Sequence, residues 1–319
     1  MRAWRPGGEN MIFHISRRST MVAMRRFGLG LLLLALPLQA WNATGHRIVA
    51  AIAFDHLTVK ARARVEDLLR QHPDLNTLLA RDAFLAASVW PDVIKGDNRF
   101  YDDTRANAQP TPLLLPFAGL GVLNMARHTN WHYIDVPFSP DGTPLEPIPT
   151  PNALIELRRI LKEASPSVYD LPWLVHLTGD VHQPLHCTSR FTKSQPMGDQ
   201  GGNLVFINPG RNLHALWDDL AGNDTNNDYI NRYAADITAE FVKSNGQHPR
   251  LAKDPKKWID EAFDLDEHVV YTFGPETGSR EHPLPLPPGY EDNARRIARV
   301  QLAKAGFRLA AALNAKLGQ

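Results

Sequence analysis

Cysteine is almost absent: Cys187 stands alone in 319 residues, so no intrachain disulfide can cross-link the fold. Net charge is nearly absent as well, with 35 lysines and arginines against 34 aspartates and glutamates. The apolar run from Phe27 to Leu38 has twelve residues, too few to span a bilayer as a helix, which takes about 20. There is no internal repeat, and the composition of 43% hydrophobic and 22% charged residues excludes a collagen-like or low-complexity chain.

The near-zero charge comes from the first forty residues. They hold six arginines (Arg2, Arg5, Arg17, Arg18, Arg25, Arg26) and one acid, Glu9. Arg25-Arg26, then the apolar run, then Leu38-Gln39-Ala40 read as the basic region, apolar region and small cleavage-site residue of a secretory signal peptide. A membrane anchor is the other reading of the same run. The expected division is a removed leader, 1–40, and a mature domain, 41–319, secreted or periplasmic. Taking away six arginines and one glutamate leaves 29 basic against 33 acidic residues, a net charge of −4. A polyanion groove built from lysine and arginine is therefore not expected. If the substrate is anionic, something other than basic side chains must meet it.

Most of the mature chain reads as helix. Ile48, Ile52, Val65, Leu68 and Leu69 form an interrupted stripe between Gly45 and about Arg70. Asn152 can cap a helix carrying Leu154, Leu157, Ile160 and Leu161. Leu171 to Val181 is strongly apolar, and Pro184 should end or kink that helix. Leu213 to Leu220, Tyr229 to Val242 and Asp292 to Leu317 are further helices, and Asn203 to Asn208 is the one plausible short strand. Proline-rich stretches separate these elements without marking a domain boundary. The expectation is an all-α fold: one large helical domain with long loops and at most a short hairpin.

Chemistry concentrates in the histidines. His176 and Asp180 lie four apart, on one face of a helix, and His214 and Asp218 repeat that spacing on a second helix. His186 follows the Pro184 kink. Imidazole nitrogen and carboxylate oxygen are zinc-type ligands, and a buried aspartate needs a partner that a metal can supply. Asp92 follows Trp90-Pro91, and His132 sits among large apolar residues in Trp131-His-Tyr-Ile-Asp135. Alone, Asp92 reads equally as a turn cap and His132 as a hydrogen-bonded core residue.

Trp41-Asn-Ala-Thr-Gly-His46, Trp90-Pro-Asp92, Trp131-His-Tyr-Ile-Asp135, His176-Leu-Thr-Gly-Asp-Val-His-Gln-Pro-Leu-His186, Gly201-Gly-Asn203 and His214-Ala-Leu-Trp-Asp218 together resemble the zinc-dependent S1/P1 nuclease family, with a leader of bacterial type. The resemblance implies three Zn²⁺ per chain in a phospholipase C/P1 nuclease-like cleft. Asp92, His132 and His176 would hold the first, and His186, His214 and Asp218 the second. Trp41, through its amino nitrogen and carbonyl oxygen, would hold the third with His46, and Asp180 would bridge the first and third. Cleavage before Trp41 then becomes part of the chemistry, since an amide nitrogen cannot serve as that ligand. Three Zn²⁺ against three ligand carboxylates leave about +3 formally, so metal can draw in a phosphate. A water activated by zinc would be the nucleophile.

By the same resemblance Asp92, Lys95 and Asp180 are the catalytic residues. Lys95, Tyr133, Asp135 and Asn203 would meet the substrate: Lys95 a phosphate, Tyr133 a stacked base, Asp135 its hydrogen bonds. Base stacking tolerates many bases, and a duplex hides their faces, which favours single strands. The implied activity is hydrolysis of single-stranded DNA and RNA to 5′-phosphorylated products, with 3′-nucleotidase action on nucleotides, by a monomer. Two other readings compete. A zinc phospholipase C-type phosphodiesterase is opposed by the five-residue step from Trp41 to His46 and by Asp218, where those lipases use glutamate. A non-catalytic zinc-binding protein is opposed by Lys95 and the base-pocket residues.

Overall fold

The computed structural model of the protein describes residues 41–247 and 249–319. The arginine-rich leader, and with it the expected signal peptide, lies outside the described residues. The helices are, in order, α1 (Ala43–Asp55), α2 (Val59–Gln71), α3 (Ala80–Ala87), α4 (Trp90–Val93), α5 (Ala153–Lys162), α6 (Asp170–Asp180), α7 (Leu213–Asp218), α8 (Asn227–Asn245), α9 (Pro255–Leu265) and α10 (Tyr290–Leu317). A π-helical turn, Asp266–Val270, prolongs α9. Strands are confined to two short ladders among the described residues. β1 (Val136–Phe138) runs parallel to β2 (Thr188–Arg190), and β3 (Phe206–Asn208) pairs antiparallel with β4 (Arg211–Asn212). The fold is all-α as expected, with the β3–β4 hairpin and, in addition, the parallel β1–β2 pair.

Capping explains where the helices begin. The Asn42 side chain accepts the Thr44 and Gly45 N–H groups and starts α1. The interrupted stripe between Gly45 and about Arg70 is two helices: the chain turns after Asp55, and the Thr58 hydroxyl accepts the Ala61 N–H to open α2. Asn152 caps α5 through the Ile155 N–H, as its sequence suggested. After α6 the chain cannot continue as an α-helix through Pro184 and closes into a 3₁₀ turn, Pro184–His186.

Two helices are buried almost all round, the pattern of a core helix rather than a surface one. In α1 every residue from Ile48 to Phe54 is buried, and in α6 every residue from Asp170 to Asp180. α1 packs against α10, α8, α3 and α6, while α6 also meets α4, α5 and the 3₁₀ turn Thr129–His132. Trp173 of α6 is fully buried and packs edge-on against Trp131 and His132, with ring centroids 4.9 and 5.3 Å away. Deleting such a ring costs about 3–5 kcal/mol. His46, His176 and Asp180 thus stand on interior helices. Among the described residues no helix is long and apolar enough to cross a membrane.

Candidate metal centre

α6 supplies the centre of the site. The helical period brings His176 and Asp180 to one face, with Nε2 and Oδ2 3.2 Å apart. Between them Gly179 lets α1 approach: a Cβ there would lie 2.8 Å from His46 Nδ1. His46 consequently stacks on His176, centroids 4.0 Å apart, and its Nε2 reaches within 3.3 Å of Asp180 Oδ1. The 3₁₀ turn Thr129–His132 delivers His132, whose Nδ1 lies 2.8 Å from His176 Nε2 and 3.2 Å from Asp180 Oδ2. Asp92 of α4 completes this side, its Oδ1 3.7 Å from His132 Nδ1 and 3.8 Å from His176 Nε2. Asp180 therefore faces three imidazoles, yet both its oxygens are buried without a hydrogen-bond partner.

A second cluster gathers His186, His214 and Asp218. His186 Nε2 and His214 Nε2 face each other at 3.0 Å, and His214 Nε2 lies 3.5 Å from Asp218 Oδ2. Gln183 Nε2 donates to Asp218 Oδ1 at 2.8 Å and orients that carboxylate. Three donor triplets converge in all: His46, His176 and Asp180; Asp92, His132 and His176; His186, His214 and Asp218. Each could hold a metal ion.

The histidine tautomers are set by main-chain carbonyls. His176 Nδ1 donates to Ser88 O at 2.7 Å, His186 Nδ1 to His132 O at 2.8 Å, and His214 Nδ1 to Gly201 O at 2.7 Å. A carbonyl only accepts, so the hydrogen sits on Nδ1 and each Nε2 presents a lone pair to the cluster. Two such lone pairs 3.0 Å apart, as in His186 and His214, repel unless a cation lies between them. This donor set, with the orphaned Asp180 carboxylate, fits a metal ion.

Burial and neighbouring charges shift the ionisation of these groups in opposing directions. Burial pushes the Asp180 carboxyl upward, but His176 first and then the other imidazoles facing it outweigh burial and hold it well below the usual range. Burial works against a charged His176, while Asp180 and Asp92 overcome it and raise that group. Burial, then Lys95, pushes His132 down to about 3. Asp92 stays low despite burial, because Lys95 and the three histidines surround it.

Every other candidate has a definite place. Trp41 is fully buried just before the Asn42 cap, and the Asn42 N–H donates to Asp218 O at 3.3 Å, so the start of the domain lies against the second cluster. Lys95 Nζ donates to Asp92 Oδ1 at 2.6 Å. Tyr133 is half-buried and donates to Asn130 Oδ1 at 2.8 Å. Asp135, two residues on, is raised to about 7 by burial and then by Asp199. Asn203 turns its amide onto its own loop: Nδ2 donates to Gln200 O, and its carbonyl accepts from Asn212. Cys187 is buried beside the site with its thiol pushed well up, chiefly by burial, which removes it as a nucleophile.

Sequence reasoning missed several supporting groups. Gln183 lies inside the His176–His186 block and was readable as polar. The Ser88, His132 and Gly201 carbonyls are main-chain atoms and leave no residue signature. His182 is kept out of both clusters, since its Nδ1 donates to Thr178 O at 2.7 Å and its Nε2 accepts from Arg308 Nη1 at 2.8 Å.

The S1/P1 Nuclease family model matches residues 41–318. Nuclease S1 of Aspergillus oryzae is 26% identical over 159 residues, covering 45% of this chain and 53% of its own. Endonuclease 5 of Arabidopsis thaliana is 28% identical over 162 residues, covering 45% and 49%. The chain spans about half the length of the curated relatives it matches. With nearly all of 41–319 covered by the family model, the chain belongs to the S1/P1 nuclease family.

Proposed function

We propose that this protein is a zinc-dependent phosphodiesterase that hydrolyses single-stranded DNA and RNA to 5′-phosphorylated products, and that it also removes 3′-phosphates from nucleotides. The observation that carries the reading is the presence of three donor triplets, two of them sharing His176 beside Asp180, whose buried oxygens have no hydrogen-bond partner. Asp92, His132 and His176 would hold one Zn²⁺; His186, His214 and Asp218 a second; Trp41, His46 and Asp180 a third, with Asp180 shared between two. Zinc bound there supplies a Lewis acid that lowers the pKa of water toward neutrality and offsets phosphate charge.

The chain's own residues do the positioning. Lys95, held at 2.6 Å by Asp92 and partly exposed, offers an ammonium to a phosphate oxygen. Tyr133 offers a half-buried ring on which a base can stack, and Asp135 stands two residues on to meet its edge. The Ser88, His132 and Gly201 carbonyls hold three imidazoles in one tautomer before any ligand arrives. Cleavage before Trp41, export of the chain and a monomeric state belong to the same proposal.

The deciding assay offers purified protein a single-stranded oligonucleotide and phosphatidylcholine, with Asp180→Asn beside the wild type. Cleavage of the oligonucleotide, with zinc and activity lost together in the mutant, is expected. Lipid cleavage alone would select the phospholipase C-type reading, and a fully active mutant would remove Asp180 from its bridging role. N-terminal sequencing with a zinc count on the same sample tests the leader: Trp41 first with three zincs is expected, and a retained leader would undo the third site.

A further inference from the structure

Arg190 and Asp199 are both fully buried, yet neither belongs to the clusters above. Arg190 ends β2, and its guanidinium is anchored on one side by main chain. Nη1 donates to Gly274 O, and Nη2 donates to Glu276 O at 3.0 Å and Thr277 Oγ1 at 3.2 Å. It also lies 4.5 Å over the Tyr271 ring. The remaining nitrogen, Nε, is 3.4 Å from Asp199 Oδ2.

Asp199 turns its other oxygen to the backbone. Oδ1 accepts the Arg190 N–H at 3.0 Å and the Gly202 N–H at 3.2 Å. The Gly202 N–H and the Gly201 C=O belong to one peptide group, and that C=O accepts from His214 Nδ1 at 2.7 Å. Carboxylate, peptide and imidazole are therefore in series, with His214 Nε2 at the far end facing His186 and Asp218. The peptide has little freedom to turn away. Gly201 and Gly202 sit at φ +59° and +78°, and a Cβ on Gly201 would lie 2.2 Å from Leu185 O, so only glycine lets the turn press onto the Pro184–His186 segment.

We propose that Asp199 is a positioning residue for the metal centre, acting on His214 through the single peptide group that joins Gly201 to Gly202. Histidine ligands ordinarily donate their second N–H to a carboxylate or carbonyl, which fixes the ring and increases its donor strength. Here the two are combined: a carboxylate polarises a peptide, and the peptide carbonyl takes the imidazole N–H. Hydrogen bonds in series strengthen one another in a low-dielectric interior. Arg190 supplies the counter-charge that makes a buried carboxylate tolerable. Burial raises Asp199, opposed in turn by the Arg190 charge, the Arg190 N–H, the Tyr271 hydroxyl and the Gly202 N–H.

The inference rests on the proposed metal-binding role of His186, His214 and Asp218, and the experiment separates the two. Zinc content and chelator-competition affinity are measured for the full protein, for Asp199→Asn, which keeps an acceptor oxygen but no charge, and for Asp199→Ala, with His214→Ala marking which ion is lost. Circular dichroism establishes that each variant is folded. We expect one ion, the same one that His214→Ala removes, to bind about 10-fold more weakly in Asp199→Asn and up to about 100-fold more weakly in Asp199→Ala, with the others unchanged. Wild-type affinity for every ion in both folded variants would overturn the role of Asp199, and so would equal weakening of all ions. A wild type that holds no zinc would instead overturn the proposed function. If Asp199→Ala fails to fold, the isosteric Asp199→Asn decides alone.

Discussion

His72 offers a quantitative test of how the interior around α4 is held. Its ring is 1% exposed and packs edge-on against Trp90, centroids 4.9 Å apart, and against Phe117 at 6.1 Å. Nδ1 accepts the Asp74 N–H at 3.2 Å, while Asp74 Oδ2 accepts from Trp90 Nε1 at 2.9 Å. Trp90 begins the helix that carries Asp92, so this cluster sits directly behind the metal centre. Burial pushes His72 down to about 4 from an ordinary 6.5, Asp74 opposing and Arg99 assisting. Between those values the unfolded chain takes up a proton that the folded chain refuses, so stability falls as pH falls through 6.5 and levels off below about 4. At 1.36 kcal/mol per pH unit the whole effect is about 3 kcal/mol, of which about 2 kcal/mol appears between pH 7 and pH 5. His72→Phe keeps an aromatic ring in the cluster and removes the titration. It loses the acceptor for the Asp74 N–H, a pH-independent cost of about 1–3 kcal/mol. Urea unfolding of both proteins from pH 7 to pH 5 cancels the other histidines in the difference. The mutant should gain about 2 kcal/mol on the wild type over that range; a constant difference would refute the reasoning.

Two predictions concern the residues proposed to meet the base. Tyr133→Ala should raise KM for single-stranded oligonucleotides about 5- to 150-fold, the range that corresponds to about 1–3 kcal/mol of stacking, whereas Tyr133→Phe keeps the platform and should stay near wild type; an unchanged KM in Tyr133→Ala would place the base elsewhere. Asp135 is raised to about 7 by burial and Asp199, so below neutrality its carboxyl both donates and accepts, and above it only accepts. Cleavage of adenine-bearing dinucleotides relative to guanine-bearing ones should fall as pH rises through 7 and become pH-independent in Asp135→Asn, and a wild-type ratio that ignores pH would refute contact between Asp135 and the base edge.

What the sequence made legible, and what it did not, follows from where the information lies. His176 with Asp180 and His214 with Asp218 were readable because a spacing of four on an apolar helix puts both side chains on one face, and the structure brings each pair to within 3.5 Å. The interruption between Ile52 and Val65 was readable as well, but not where it falls, because only the Thr58 cap marks the start of α2. β1 and β2 escaped because three-residue strands, one containing Pro137, carry no alternation to detect. Arg190 escaped for the opposite reason: an arginine next to a polar loop looks exposed, and the groups that make its burial tolerable, Asp199, the Gly274 and Glu276 carbonyls and Thr277, are brought to it by the fold. Asn203 was readable as a loop residue near the site, but its hydrogen bonds within the loop depend on a turn that periodicity does not describe.

The histidine-rich block also shows how the fold chooses among like residues. His176, His182 and His186 each give their Nδ1 hydrogen to a backbone carbonyl, so all three have the same tautomer. The difference lies on the far side of each ring. The Nε2 of His182 is met by the guanidinium of Arg308, itself held at 2.6 Å by Glu261, so its lone pair is already taken; burial and then Arg308 push the group well down. The Nε2 of His176 and of His186 instead meets another imidazole within 3.0 Å, and His176 also meets a carboxylate. Identical histidines a few residues apart are thereby divided between packing and the clusters that could hold a metal ion by what α10 and the neighbouring turns place opposite them. A spacing motif names the candidates, and the partner opposite each ring selects among them.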